Sequence, residues 1–327
     1  MGFYNLKTRL SQDAIQRLHE RFSAVFEPEQ ILADENMSAH TTFRVGGAAD
    51  IFVEINNSAE LAKALEILKS EGLSGLNRDF YILGNGSNLL VSDAGLRGVV
   101  LHMSRQFDHI SVDGTTLVCE AGAALAAIAR KACENRLTGL EFAAGIPGSL
   151  GGAIVMNAGA YGGEMKQVVK SVRLMTMDGE IIEKSAEEMH FSYRHSLVKE
   201  RMLQNPLVVL EVTIALTEGC QEDIRAKMDE LADKRRAKQP LEYPSAGSTF
   251  KRPEGYFAAK LIEDAGLRGF AAGDAQVSEK HCGFVVNRNN ATAADIYSLI
   301  LEVQRRVKES SGVALEPEVI LLGDFGK

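Results

Sequence analysis

The sequence predicts an α+β protein in which short strands alternate with helices, with one glycine-rich loop in each half of the first two-thirds. Three observations carry this. Apolar residues alternate in short runs that break at glycine turns, as at Asp113–Gly114 and Asp178–Gly179. Helical spacing recurs in separate segments between those runs. And the stretch 142–163, FAAGIPGSLGGAIVMNAGAYGG, holds seven glycines in twenty-two residues and no charge.

At 327 residues the chain has room for two or three domains with ample core. A hydrophobic content of 45% with 24% charged residues is that of a soluble globular protein. A net charge of −8 argues against a general nucleic-acid binder, while leaving room for a local basic cluster that holds a phosphate. Cys119, Cys133, Cys220 and Cys282 form no CxxC pair and no metal-like spacing, as expected of thiols in a reducing compartment. MGFYNLKTRL has no signal-peptide core, and Leu6 breaks the myristoylation pattern, so a cytoplasmic location is expected. No nucleic-acid or membrane partner is expected; a monomer is the working expectation, although nothing in the sequence fixes the oligomeric state.

In chain order, residues 11–26 carry helical spacing at Ile15, Leu18, Phe22 and Val25. Residues 34–40 read as a polar connector. In TTFRVGGAADIFVEI, Phe43 with Val45 and Ile51 with Val53 suggest two short strands around a Gly46–Gly47 turn. Residues 58–71 form an amphipathic helix, with Ser58 as N-cap and Gly72 as its stop.

FYILGNGSNLLVSD then places a strand before a turn at 84–88. Leu89 stands where a GxGxxG motif needs its third glycine, and no helix pattern follows, so this is not a Rossmann fingerprint. The backbone N–H groups of Asn85, Gly86 and Ser87 could form an anion-binding nest, and an ordinary β-turn would read the same way. Strands joined at Asp113–Gly114 and an alanine-rich helix at 125–135 lead into the 142–163 stretch. Its length and lack of charge match a membrane span, but Pro147 and the glycines each weaken a helix by roughly 1 kcal/mol or more. Backbone lying against a large, partly anionic ligand is the better reading, because glycine removes the Cβ that would keep phosphate oxygens away. A tight packing corner between strands is the alternative.

VRLMTMDGEIIEKS is a hairpin, and FSYRHSLVK and PLVVLEVTIAL continue in short strands. The texture changes near Gly219. Residues 223–238 form a charged helix ending in KRRAK, which suits either a solvated face or a phosphate contact before Pro240. The loop LEYPSAGSTFKRP, a short helix at 258–265 stopped by Gly266, an amphipathic helix at 292–310 and a final strand in GVALEPEVILLG complete a compact α/β unit.

Together, GNGSNLL at Gly84, GIPGSLGGAIVMNAGAYGGE at Gly145, FSYRHS, PSAGSTFKRP at Pro244 and LEPEV resemble the UDP-N-acetylenolpyruvoylglucosamine reductase family over nearly the whole chain from Asn36. The resemblance implies an FAD-binding fold of the vanillyl-alcohol-oxidase (PCMH) type in two subdomains, at about 36–104 and 105–218. It implies a substrate-binding domain at 219–327, and residues 1–35 would be an N-terminal helical extension. It also implies that NADPH reduces FAD and that hydride then passes to the enolpyruvyl group of the UDP-sugar.

By position in the motifs, Ser248 matches the proton donor, and Arg194 and Glu318 match the residues that polarise the substrate carboxylate and steady the intermediate. Gly84, Asn85, Gly86, Ser87, Asn88 and Leu89 match the first cofactor loop. Gly145, Pro147, Gly148, Ser149, Gly151, Gly152, Asn157, Ala158, Gly159 and Ala160 match the second. Tyr193, Lys238, Lys251, Arg252 and His281 match the substrate side. The interval between SYRHS and PSAGS is short and lacks the inserted tyrosine of the longer branch, so the chain resembles the shorter one. Arg252 stands where the longer branch has Asn, and Ile320 stands where an arginine often follows EV. An FAD oxidase of the same class, or a non-catalytic nucleotide sensor, would share the fold. The first loop has no His or Cys to attach flavin, as such oxidases often do.

Overall fold

The structure, a computed structural model, describes residues 3–4, 10–73, 75–76, 79–104 and 106–326. Leu6, and residue 105 beside the expected subdomain boundary, lie outside them.

A four-stranded sheet in the order Ile31–Asn36, Ala48–Ile55, Leu96–Met103, Phe80–Leu83 opens the fold. Its last three strands run parallel, which requires crossovers, and the helix Ser58–Ser70 supplies one. Both faces are covered. Ile51, Val53 and Leu101 pack against Leu61 and Leu65 of that helix, while Phe52, Tyr81 and Val100 pack on Met37, Val91 and Leu322. A second, five-stranded sheet is wholly antiparallel, in the order Ile181–Ser185, Val169–Thr176, Leu207–Ala215, Thr116–Glu120, Ile110–Asp113. Its core is continuous with that of the first sheet. A third unit packs helices Ala258–Asp264 and Ala293–Ser311 on the antiparallel strands Ala271–Ala272, Ala275–Val277 and Val285–Asn287.

Local signals placed several elements correctly. Gly114 and Gly179 take positive φ at the two hairpin tips. Thr292 closes a capping box with Asp295, and Ile296, Leu299, Ile300, Val303 and Val307 are the buried face of that helix. Three of the four thiols are buried, and Cys220 is exposed.

Other elements differ from expectation. Residues 34–40 are not a connector: Ile31–Asn36 is a strand pairing with Ala48–Ile55, and a helical turn follows at Met37–His40. Phe43 and Val45 are buried but form no strand, because the positive φ of Arg44 between them breaks the extended backbone. Asn57, one residue before Ser58, is the N-cap, its side chain accepting from the Glu60 N–H. FSYRHSLVK is a tight turn followed by the helix Leu197–Arg201, not a strand. Part of the glycine-rich stretch is helical after all, at Leu150–Met156, even with Gly151 and Gly152 inside it.

The chain before Asn36 is built into the first unit: Leu18 and Phe22 of the helix Gln12–Ser23 lie in its core. A boundary at 35/36 would cut a sheet. The final strand Ile320–Leu322 also leaves the C-terminal unit and pairs in parallel with Leu89–Val91, directly after the first glycine loop. Asp93, just beyond that strand, caps the helix Ala293–Ser311 by accepting from the N–H groups of Ala293 and Ala294 at 2.8 and 2.9 Å.

Candidate active site

A cavity of about 580 Å³ lies where these units meet. Gly84, Asn85, Gly86, Ser87, Asn88 and Leu89 of the first loop all line it. From the second stretch, Pro147, Gly148, Ser149, Gly151, Gly152, Ala158, Gly159 and Ala160 do so. Arg194, Lys238, Ser248, His281 and Glu318 complete the expected set on its wall.

Three separated motifs converge on Glu318. Its backbone N–H donates to the Thr249 carbonyl at 2.8 Å, one residue after Ser248. Its own carbonyl accepts from the Asn88 side-chain amide at 3.1 Å, tying it to the first glycine loop. Its carboxylate takes the Arg194 Nε–H at 2.5 Å. Only 13% of the Glu318 side chain and 20% of the Arg194 side chain are exposed, so this pair is screened far less than a surface one. Glu318 therefore has its charge partner in Arg194, with Ile320 in the adjacent strand.

Ser248 is exposed on the cavity wall, and its neighbour Thr249 is fully buried. The Thr249 N–H donates to the Gly283 carbonyl at 2.8 Å, and its hydroxyl accepts from the Val285 N–H at 2.9 Å. A loop serine is thus carried on a rigid mount, as a group that must meet a reacting atom requires.

The wall suits a dinucleotide. Among the described residues, the N–H groups of Asn85, Gly86 and Ser87 meet no acceptor, nor do those of Ser149 and Gly152. Gly86 and Ser149 are buried and Ser87 is half-buried, so their free N–H groups call for an anionic or carbonyl partner, while Asn85 and Gly152 are exposed on the same wall. Gly86 is needed there for two reasons: it takes φ +57°, and a Cβ on it would lie 1.9 Å from the His40 carbonyl oxygen. In the helix Leu150–Met156 the two glycines serve different ends. A Cβ on Gly151 would press on Ala121, whereas one on Gly152 would meet only the Ser149 hydroxyl and would otherwise project into open space. Packing and ligand access are both present, one glycine each. Among the described residues the Tyr81 hydroxyl, on a residue 2% exposed at the cavity wall, meets no hydrogen-bond partner, and burial raises its pKa above the ordinary phenol value. A bound group with polar edges would relieve that cost.

The basic residues fall into two sets. Lys238 reaches the wall from the end of the helix Gln221–Lys238, and His281 faces it from the C-terminal unit. Burial first, then the nearby Lys238 and Arg268, holds the His281 pKa below its usual value. Tyr193, Lys251 and Arg252 lie outside the cavity wall. Lys251 pairs with Glu316 at 2.9 Å, and Arg252 donates its backbone N–H to the Tyr193 hydroxyl while its guanidinium stacks 4.0 Å above the Phe257 ring.

Gly145 and Asn157 do not line the cavity either. Asn157 is wholly buried at φ +41°, its amide donating to Glu164 and to the Ser192 carbonyl and its oxygen accepting from the Lys166 N–H. It braces the second loop against the SYRHS turn. Gly145 gives its carbonyl to Arg235, whose half-buried guanidinium lines the cavity and also bonds Tyr161. Arg235 was missed from sequence, whereas Tyr161, which lines the cavity, is with Ser149 and Asn157 one of the polar side chains of the 142–163 stretch that could orient a ligand. KRRAK announced a cation, but helix phase selects Arg235 and Lys238 as the ones that line the cavity.

Comparison with known proteins agrees with this geometry. Residues 49–185 match an FAD binding domain, and residues 239–322 match the C-terminal domain of UDP-N-acetylenolpyruvoylglucosamine reductase. The reductase of that name from Agathobacter rectalis is 51% identical over 90% of this chain and 95% of the relative. That from Caldanaerobacter subterraneus is 48% identical over 94% of this chain and 98% of the relative. The crystal structure of the Thermus caldophilus reductase superposes with a TM-score of 0.74 at 34% identity, covering 89% of this chain and 98% of that one. The fold is thus an FAD-binding portion of the vanillyl-alcohol-oxidase type followed by the reductase C-terminal domain. On sequence, architecture and the convergence of its motifs, the chain belongs to the UDP-N-acetylenolpyruvoylglucosamine reductase family.

Proposed function

We propose that this chain carries out the reaction of its family, the NADPH-dependent, FAD-mediated reduction of UDP-N-acetylenolpyruvoylglucosamine to UDP-N-acetylmuramate for peptidoglycan precursor synthesis, with Ser248, Arg194 and Glu318 acting on the enolpyruvyl group. The observation that carries the assignment of these three is their convergence: the Glu318 N–H on the Thr249 carbonyl beside Ser248, and its carboxylate on Arg194.

The free N–H groups of the two glycine loops and the Tyr81 hydroxyl would hold FAD, which when bound would supply hydride transfer from NADPH to C3 of the enolpyruvyl group. Hydride addition to an enol ether bearing a carboxylate builds negative charge on the substrate carboxylate and C2. Arg194, oriented by Glu318, stabilises that charge. Ser248 delivers the proton to C2; a hydroxyl is a weak acid, so its donation depends on the positive charge held nearby.

Lys238 and Arg252 bind the substrate diphosphate, with Tyr193, Lys251 and His281 on the same side. A substrate-binding domain at 219–327 carries Lys238, Lys251, Arg252 and His281, and the FAD-binding domain at 36–218, with the helix Gln12–Ser23 and the strand from Ile31 packed into it, carries Tyr193. Small molecules are the partners, without nucleic acid or membrane, and the working form is a cytoplasmic monomer. Among the described residues no helix is long and apolar enough to cross a membrane.

The test is anaerobic stopped-flow. NADPH should bleach the flavin absorbance, and the enolpyruvyl UDP-sugar should restore it. Recovery with oxygen and an alcohol, but not with the UDP-sugar, would point to an oxidase instead.

A further inference from the structure

We propose that Lys199 is a positioning residue for the Arg194–Glu318 pair: its ammonium holds the SYRHS turn in the conformation that turns Arg194 toward Glu318. Lys199 Nζ donates to the Arg194 carbonyl at 2.9 Å and lies 3.5 Å from the Met156 sulfur.

Arg194 sits at φ +54°, a left-handed conformation that costs a residue with a Cβ on the order of 1 kcal/mol and persists only where neighbours enforce it. The turn is pinned at both ends. The Asn157 amide donates to the Ser192 carbonyl at 3.0 Å, and the Ser196 hydroxyl to the Val155 carbonyl at 2.8 Å. Ser192 and His195 bond one another across the turn. None of these reaches Arg194 itself; Lys199, one helical turn further along, does.

The position of the ammonium is also unusual. Lys199 is half-buried, and among the described residues no carboxylate lies within ion-pair distance of it. Desolvation first, then the neighbouring positive charge of Lys251, lowers its pKa; Glu318 opposes this and Arg194 adds to it. A lysine free to reach water would gain hydration by doing so. This one is spent on a backbone carbonyl, which makes sense if the turn and the positive field beside Glu318 both depend on it.

The inference rests on the role given to Arg194 above, and the experiment separates the two. Lys199→Met keeps the packing beside Met156 but removes the donor; Lys199→Arg restores a donor. In the anaerobic two-step experiment on FAD-loaded protein, Lys199→Met should keep its flavin, its melting temperature and its bleaching by NADPH. Its reoxidation by the enolpyruvyl UDP-sugar should slow about 10- to 100-fold, the loss expected for a mispositioned group. Lys199→Arg should recover most of that rate. In the wild type, reoxidation should fall as pH rises through the lowered Lys199 pKa, since the ammonium donates far more strongly than the neutral amine and alone carries positive charge; Lys199→Arg should extend the plateau to higher pH. Wild-type reoxidation in Lys199→Met, or equal loss of both steps together with flavin, overturns the proposal. Arg194→Gln is run beside it. If Arg194→Gln reoxidises normally, the role of Arg194 fails and this inference falls with it; if Arg194→Gln is slow and Lys199→Met is not, this inference alone fails.

Discussion

Arg194 Nε and Glu318 Oε1 lie 2.5 Å apart although 124 positions separate the two residues in the chain. One comes from a strained turn of the antiparallel-sheet unit, the other from the approach to the last strand. Their meeting requires the C-terminal unit to dock on the FAD-binding portion, so the charge pair exists only in the assembled fold.

Ser248→Ala should leave FAD content and flavin bleaching by NADPH close to wild type. Reoxidation by the enolpyruvyl UDP-sugar should slow by about 10²–10⁴-fold, the usual contribution of a general acid. Ser248→Cys should restore part of the rate, because a thiol also donates. Stopped-flow absorbance reads both steps; unimpaired reoxidation in Ser248→Ala would transfer the proton to water.

Glu318→Gln retains an acceptor for Arg194 but loses the charge. The same second step should slow by about 10²-fold, the scale of one lost electrostatic contact at a developing anion. An equal loss in NADPH oxidation would place Glu318 in the fold or the cofactor site instead.

Gly152→Val should lower FAD content more than it lowers stability, since the space its Cβ would enter belongs to the cavity. Flavin-to-protein absorbance should drop, with FAD affinity weakened by about tenfold or more, equal to ~1.4 kcal/mol. A folded variant with full flavin would assign the open space to something else.

Lys238→Ala should raise the KM for the UDP-sugar by about 10- to 100-fold, the loss expected for one charged hydrogen bond of about 1.5–3 kcal/mol. Arg252→Ala should act in the same direction while also freeing Phe257. Bleaching by NADPH should stay near normal in both. Steady-state kinetics with each substrate varied in turn checks this.

Because burial holds His281 below its usual pKa, the unfolded chain takes up a proton that the folded chain refuses. Stability should therefore fall as pH drops from above 6.5, the unfolded value, toward the lowered folded value, and this contribution should level off below it. His281→Gln should flatten that part of the melting-temperature profile, measured calorimetrically between neutral and mildly acidic pH. An unchanged profile would mean that other groups set the slope.

Local chemistry was legible in the chain. The Asp-Gly hairpins, the Thr292 capping box and the apolar stripe at Ile296, Leu299, Ile300, Val303 and Val307 each depend on residues a few positions apart, so neighbours in sequence suffice to write them. The two glycine loops and the motifs carrying Arg194, Ser248 and Glu318 were legible for the same reason: each is a contiguous run.

Relations between distant residues came only with the tertiary structure. Residues 34–40 look polar enough to be a connector, yet 34–36 end the strand Ile31–Asn36 because Ala48–Ile55 offers it a partner. Ile320–Leu322 joins Leu89–Val91 rather than its own unit, which carries Glu318 to Asn88. FSYRHSLVK alternates like a strand, yet Asn157, Ser196 and Lys199 hold it as a turn. In KRRAK, Lys234 and Arg236 pair with Glu230 and Asp233 on the helix surface while Arg235 faces the cavity. The charges in that run are alike in sequence; the angle at which the helix docks decides which one gives up water.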